Sequence, residues 1–243
     1  MTDQISILFL VLTFIAEVIG TIGGFGSSVF FVPIANIYFD FHTVLGLTAV
    51  FHVASNLSKI ALFRKGIDRN LIINIGVPSV VFVVIGGVLS KWIQPLLLEL
   101  FLGVFLIILS LLFLIKKNLV VAPRKKESII GGTLSGLAAG LLGTGGAIRG
   151  ITMAAFNLEK SVFIATSAFI DFAIDSTRTL VYYLNGYIQS QVIIYVPFLV
   201  IIGWIGTYFG KRILDYIPQE KFKTIALLLI LFVGIMSLAK VTL

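Results

Sequence analysis

The chain reads as an all-α polytopic membrane protein made of two inverted-topology repeats of about 120 residues, and three observations carry that reading. Of its 243 residues, 58% are hydrophobic and only 12% charged, with a mean hydropathy of +1.10. Soluble domains carry roughly 25% charged residues. Residues Gly20 to Gly26 read GTIGGFG, and at an offset of 120 Gly140 to Gly146 read GLLGTGG, each interrupting an apolar run. The same offset carries Thr13 onto Thr133, Ala35 onto Ala155, Gly66 onto Gly186, Gly86 onto Gly206 and Lys91 onto Lys211. A constant offset without insertions is the mark of duplication. Finally, basic residues gather in three loops: Arg64, Lys65 and Arg69; Lys116, Lys117, Arg124, Lys125 and Lys126; and Lys211, Arg212, Lys221 and Lys223.

The elements follow in order. The N-terminus, MTDQISILFL, lacks the positive n-region of a signal peptide, so it is expected to open the first membrane segment. A short pair at 5–21 and 26–39, broken by glycine, precedes spans at 43–63, 71–91 and 97–115. A second broken pair at 128–142 and 146–157 precedes spans at 161–183, 190–210 and 222–240. The six spans have about the roughly 20 apolar residues a bilayer crossing needs. The broken pieces are either short tilted helices or half-helices that re-enter the membrane. Residues 1–115 then form the first repeat, 116–127 a basic linker and 128–243 the second repeat. The positive-inside rule makes all three basic loops cytoplasmic and the N-terminus external, in a cell membrane. With that parity the first repeat starts outside and the second inside.

Several function classes drop out. The net charge of +7 resides largely in the loops, where topology explains it, so no nucleic-acid partner is expected. The absence of cysteine removes disulfides and thiolate chemistry. His42 and His52 do not make a metal site, and neither a phosphate loop of the GxxxxGK type nor a Ser/His/Asp spacing is present. No enzyme, cofactor or metal is expected; the expected partners are a small anionic solute, the lipid bilayer and a proton where transport is coupled, with oligomeric state open.

The paired breaks carry the functional reading. Glycine-interrupted segments at matching places in two inverted halves point to a transport site between the repeats. A helix that starts inside a membrane leaves its first N–H groups without partners and adds positive potential, which suits an anion. Helix starts near Gly24 and Gly145 are expected to converge on one anion, with Gly23, Gly26, Gly143 and Gly146 permitting close approach and Ser27, Ser28 and Thr144 adding hydroxyls. Duplicated glycines also serve helix packing alone, the competing reading.

The stretch GTIGGFGSSVFFVP from Gly20 to Pro33 resembles the glycine-rich motif, closed by proline, of the sulfite exporter TauE/SafE family. Gly66-Ile67-Asp68 after the long helix, the basic central loop and the second cluster, GLLGTGG, fit the same resemblance, which covers essentially the whole chain. It implies a transporter of small anions, sulfur oxyanions or organosulfonates such as sulfite or sulfoacetate, driven by an ion gradient or by the substrate's own. Two departures stand out: Met153 occupies the place of Pro33 in the second half, and Arg149 that of Val29.

Ionisable residues inside spans cost at least ~2.5–3.5 kcal/mol on insertion scales, so they need partners or a role. His52, Asn56 and Lys59 share one helix face, as do Asp171, Asp175 and Arg178, and the offset places Phe51, Ser55 and Ser58 on the latter three. Asp171 and Asp175 are either a proton-linked pair or members of a salt bridge to Arg178 or Arg149. Arg149 either contacts the anion with both guanidinium arms or balances Asp171, Asp175 or Glu17. His52 either titrates or hydrogen-bonds a neighbour; Lys59 and Arg178, near helix ends, are expected to snorkel. Glu17 is a second candidate for proton coupling. The function expected is a secondary anion carrier working by alternating access around a midplane site, with an ion or proton channel and a non-transport membrane scaffold as alternatives.

Overall fold

The computed structural model describes residues 6–63, 66–116 and 120–242. Asp3, Arg64, Lys65 and Lys117 of the sequence reading lie outside them. Every regular element among the described residues is helical. Helix α1 (Ile7–Gly23) is capped by the Ser6 hydroxyl, which accepts from the Phe9 N–H, and ends at Gly24 in the left-handed conformation (φ 75°). Gly26 is also left-handed, at φ 92°. Neither conformation fits a right-handed helix, so α2 (Ser28–Ala35) begins four residues later than the expected start at Gly24. Pro33 lies within α2, and the chain turns away after Ala35.

Helix α3 (Phe41–Leu62) starts at Asp40, whose carboxylate accepts from the Thr43 N–H at 3.1 Å. A short α4 (Arg69–Leu71) continues through a π turn (Ile72–Gly76) into α5 (Val77–Leu89), followed by α6 (Pro95–Ile115). The order then recurs. Helix α7 (Lys125–Leu142) ends at Gly143 (φ 72°), and α8 (Gly146–Ala155) starts within one residue of the expected place. Helix α9 (Lys160–Leu184), a 3-10 turn (Ser190–Tyr195) with α10 (Val196–Asp215), and α11 (Gln219–Thr242) complete the chain. The π and 3-10 turns replace the first turns of what the apolar pattern predicts as uninterrupted helices.

Packing pairs the two halves. Helix α1 lies against α10 and α7 against α5, while α3 crosses α9 and α6 packs on α11. Backbones meet directly at the α5–α7 contact, where Gly132, Gly136 and Gly140 form a stripe one turn apart. A Cβ added there would stand 2.3, 2.2 and 2.4 Å from the carbonyl oxygens of Ile75, Ser79 and Val83. Small residues that let backbones meet give such helices their dispersion contacts. Gly86 on α5 presses on Leu137 of α7, and Gly206 on α10 presses on Glu17 of α1. These are one contact repeated at the offset of 120.

Polarity is inverted relative to a soluble protein. Ile73 in the π turn, Val77, Val81 and Ile85 on α5 and Ile201, Trp204, Ile205 and Phe209 on α10 are exposed, whereas Glu17, Lys59, Arg149 and Arg178 are buried. Three described segments, Phe41–Leu62, Arg69–Leu89 and Val192–Asp215, are long and apolar enough to cross a bilayer. Helix α9 carries Asp171, Asp175 and Arg178 along the side that meets α3 and α8.

Candidate functional site

The two breaks meet in the middle of the molecule. Gly26 and Ser28 from the first, and Gly145 and Gly146 from the second, line one cavity together with His52, Ala139, Arg149, Asp171, Ile174, Asp175 and Arg178. Neither α2 nor α8 has a side-chain cap at its N-terminus. The cavity offers about 10 Å³ to the centre of a water molecule, room for a single water. Contact between the breaks is direct: a Cβ on Gly146 would lie 2.1 Å from the Phe25 carbonyl oxygen.

Arg149, on α8, is fully buried. Its Nε donates to Ser167 Oγ at 3.0 Å, and its Nη2 donates to the Phe25 carbonyl at 3.2 Å and to Asp171 Oδ2. One side chain therefore ties the second half's short helix to the first half's break and to α9. With those atoms engaged, the guanidinium cannot present both arms to a ligand in this arrangement; Nη1 alone has no hydrogen-bond partner among the described residues. Arg178 donates from Nη1 to the Gly143 carbonyl at 2.6 Å, and its Nε lies 2.7 Å from Asp175 Oδ1. That second contact is an ion pair out of line for a hydrogen bond. Asn56 on α3 donates to Asp175 Oδ2 at 2.5 Å, joining the two long helices. Of the pairings left open above, the structure contains Arg149–Asp171 and Arg178–Asp175. Arg178 does not snorkel; it is buried against the second break.

A second polar cluster lies beside the first break. Glu17 has no exposed surface, and its Oε1 accepts from Lys59 Nζ (2.7 Å), Ser55 Oγ (2.6 Å), Thr207 Oγ1 (2.9 Å) and Thr21 Oγ1 (3.2 Å). Its Oε2 contacts Ser27 Oγ, which lies 2.8 Å from His52 Nε2; His52 Nδ1 lies 2.7 Å from the Thr48 carbonyl. Lys59 is thus an internal counter-ion, a correction to the snorkelling expectation. The reason is distance along α3: it sits one turn above Ser55 and reaches inward to α1. A buried pair of this kind gives little net stability when intact, yet removing one partner costs several kcal/mol.

The family profile described as Sulfite exporter TauE/SafE matches residues 8–237. The chain belongs to the TauE/SafE family. A curated relative, a probable membrane transporter protein of Methanocaldococcus jannaschii, is 26% identical over 95% of this chain and 93% of its own length. The protein is a membrane transporter family member on those grounds. In this TauE/SafE chain Met153 takes the place of Pro33, and α8 runs to 10 residues where α2 has 8. Arg149, at the place of Val29, supplies the cross-link between halves that the first half has no counterpart for.

Of the residues the sequence singles out, Gly26, Ser28, Gly145, Gly146, Arg149, His52, Asp171, Asp175 and Arg178 line the cavity. Gly23 closes α1 over the Phe25 ring, and Gly24 faces Phe163 and Ile164, so both lie behind the wall. Gly143 reaches the site through its carbonyl on Arg178, Asn56 through Asp175, and Ser27 and Glu17 through His52. Thr144 is buried with its hydroxyl unpaired among the described residues. Phe25, Ser167, Thr48 and Thr207 are partners that sequence reasoning passed over. Phe25 and Thr48 act through their backbone carbonyls; Ser167 lies one turn before Asp171 on the polar face of α9, the spacing that marks it, and Thr207 carries no such pattern.

Proposed function

We propose that this protein is a secondary transporter of a small anion, a sulfur oxyanion or organosulfonate of the sulfite or sulfoacetate kind, working by alternating access in the cell membrane. Residues 1–115 and 128–243 act as two halves of opposite orientation, joined by the linker 116–127 on the cytoplasmic side, with the first residues outside. The exchange of partners between α1–α10 and α7–α5 supports a two-fold relation between them. Family membership and the relative's description as a probable membrane transporter support a solute carrier that leaves its substrate chemically unchanged.

One observation carries the anion reading: Arg149 Nη1 is buried without a partner among the described residues, in the wall of the cavity where both breaks meet. A buried guanidinium with unused donor capacity seeks an acceptor. Asp171 and Asp175, in the same wall, are already engaged by Arg149, Arg178 and Asn56. The N-termini of α2 and α8 add donors without a second full charge, so binding stays reversible. The cavity is smaller than an oxyanion. Entry therefore requires the halves to part, and Arg149, bonded to Phe25 across them, is the hinge contact that opens. The reading is tested in proteoliposomes with labelled sulfite and a panel of organosulfonates and carboxylates. Saturable uptake of one class, competed by its unlabelled members, is the expected result. Absence of flux for all of them, with folded and inserted protein, would overturn it.

A further inference from the structure

The second polar cluster holds an unbalanced proton count. Three contacts run in series: the Thr48 carbonyl to His52 Nδ1, His52 Nε2 to Ser27 Oγ, and Ser27 Oγ to Glu17 Oε2. Each needs one proton between its two heavy atoms. The carbonyl can only accept, so Nδ1 carries the first. A neutral His52 then has a bare Nε2, and an ionised Glu17 has only acceptors. Ser27 brings a single hydroxyl proton to two contacts. The third proton has to come from an imidazolium at His52 or a carboxylic acid at Glu17.

We propose that Glu17, Ser27 and His52 form a buried relay that holds this one extra proton and passes it between Glu17 and His52, so that the anion cavity gains a positive charge when the proton stands on His52. Passage is balanced: Nε2 gives its proton to Ser27 Oγ while the Ser27 hydroxyl gives its own to Glu17 Oε2, and the reverse step restores both. No other bond changes. One end of the relay, His52, lines the cavity, whereas the other, Glu17, is enclosed by α1, α3 and α10.

The surroundings suit a single mobile charge. Glu17 is faced by Lys59 and Ser55 from α3, Thr207 from α10 and Thr21 from its own helix. His52 is faced by Ser27 and by the rings of Phe31 and Phe51, with Arg178, Asp175 and Asp171 across the cavity. Lys59, Arg149 and Arg178 stand against Asp171 and Asp175, while a loaded Glu17–His52 pair is neutral as a pair. The buried cluster then carries one net positive charge, and none when the proton leaves. A monoanion in the cavity neutralises the loaded state, so proton and anion binding favour each other. That this coupling drives transport rests on the carrier reading; the relay itself does not.

The test uses the full chain in lipid nanodiscs. His42 and His52 are the only histidines, so in His42→Gln a nitrogen-15 histidine label reports His52 alone. Infrared spectra of the wild type and Glu17→Gln report the carboxylic acid. The expected result is either an imidazolium at His52, or a neutral His52 protonated at Nδ1 together with a carboxylic acid band that Glu17→Gln removes. A neutral His52 with no such band, or one protonated at Nε2 alone, would overturn the relay. In proteoliposomes, the double variant Glu17→Gln, Lys59→Met, which removes both buried charges together, is expected to lose acceleration of uptake by a pH gradient. Retained acceleration in that variant counts against the coupling. Silent uptake in the wild type with the spectroscopic result intact would sink the carrier reading and leave the relay standing.

Discussion

Gly146→Ala asks whether the two breaks must touch for the protein to work. The alanine Cβ would stand 2.1 Å from the Phe25 carbonyl oxygen, where ordinary contact begins at 3.4 Å. The breaks therefore have to separate by about 1.3 Å, the difference between those two distances. The obstacle is backbone, which cannot rotate aside, and it also accepts from Arg149 Nη2. Gly146 is helical, so alanine adds no left-handed strain and the contact alone is tested. Overpacking of this kind costs ~1–3 kcal/mol. A displacement of about 1 Å in a preorganised site costs about 100-fold in enzymes, and a loss of that order in initial uptake rate is expected here. Gly76→Ala is the control, because its nearest neighbour is the Ile170 side chain at 3.5 Å. The assay pairs initial uptake in proteoliposomes with thermal unfolding of purified protein. Uptake within twofold of the wild type, with an unchanged melting temperature, would refute the claim that the breaks form one site.

Lys59→Met leaves Glu17 buried without its counter-ion and is expected to cost ~3–5 kcal/mol of stability, part of which Glu17→Gln in the same chain recovers, as read by denaturant unfolding in detergent. Arg149→Lys offers one nitrogen where the guanidinium serves Ser167, Phe25 and Asp171, so uptake is expected to fall about tenfold or more while the protein remains folded. Asp40→Ala removes the α3 cap and is expected to cost about 1 kcal/mol. Partial burial by itself would raise the Asp40 carboxyl, but the Thr43 hydroxyl and N–H outweigh it and hold the group below its ordinary 3.8. Stability from a lowered carboxyl is present above that ordinary value and lost as pH falls through the folded one. The melting-temperature gap between wild type and Asp40→Ala should therefore close in acid.

Much of this arrangement is legible in the chain because membrane solvation is a blunt filter. An apolar run of span length announces a helix, a charge within it announces an interior contact, and a glycine cluster repeated at the offset announces a break. Partner choice is not legible. Glu17 draws donors from positions as distant as Thr207, the one aliphatic hydroxyl in α10, and nothing local names a carboxylate in α1 as its partner. The start of α2 is not legible because GTIGGFG has several glycines, and sequence does not say which adopt positive φ; Gly24 and Gly26 do, and Gly23 does not. Lys59 reads as a snorkelling residue by its place near a helix end, yet a deep carboxylate one helix away outcompetes the interface. Ser55 was the one available hint, since it lies at the offset from Asp175.

Alternating access needs a single site that faces the two sides of the membrane in turn. Its most direct test is trans-stimulation: labelled anion uptake into proteoliposomes preloaded with the same unlabelled anion, compared with empty vesicles. A carrier returns faster when loaded, so preloading should accelerate uptake, and Gly146→Ala should abolish the acceleration. Flux that is unaffected by preloading and does not saturate would contradict alternating access and identify a channel instead.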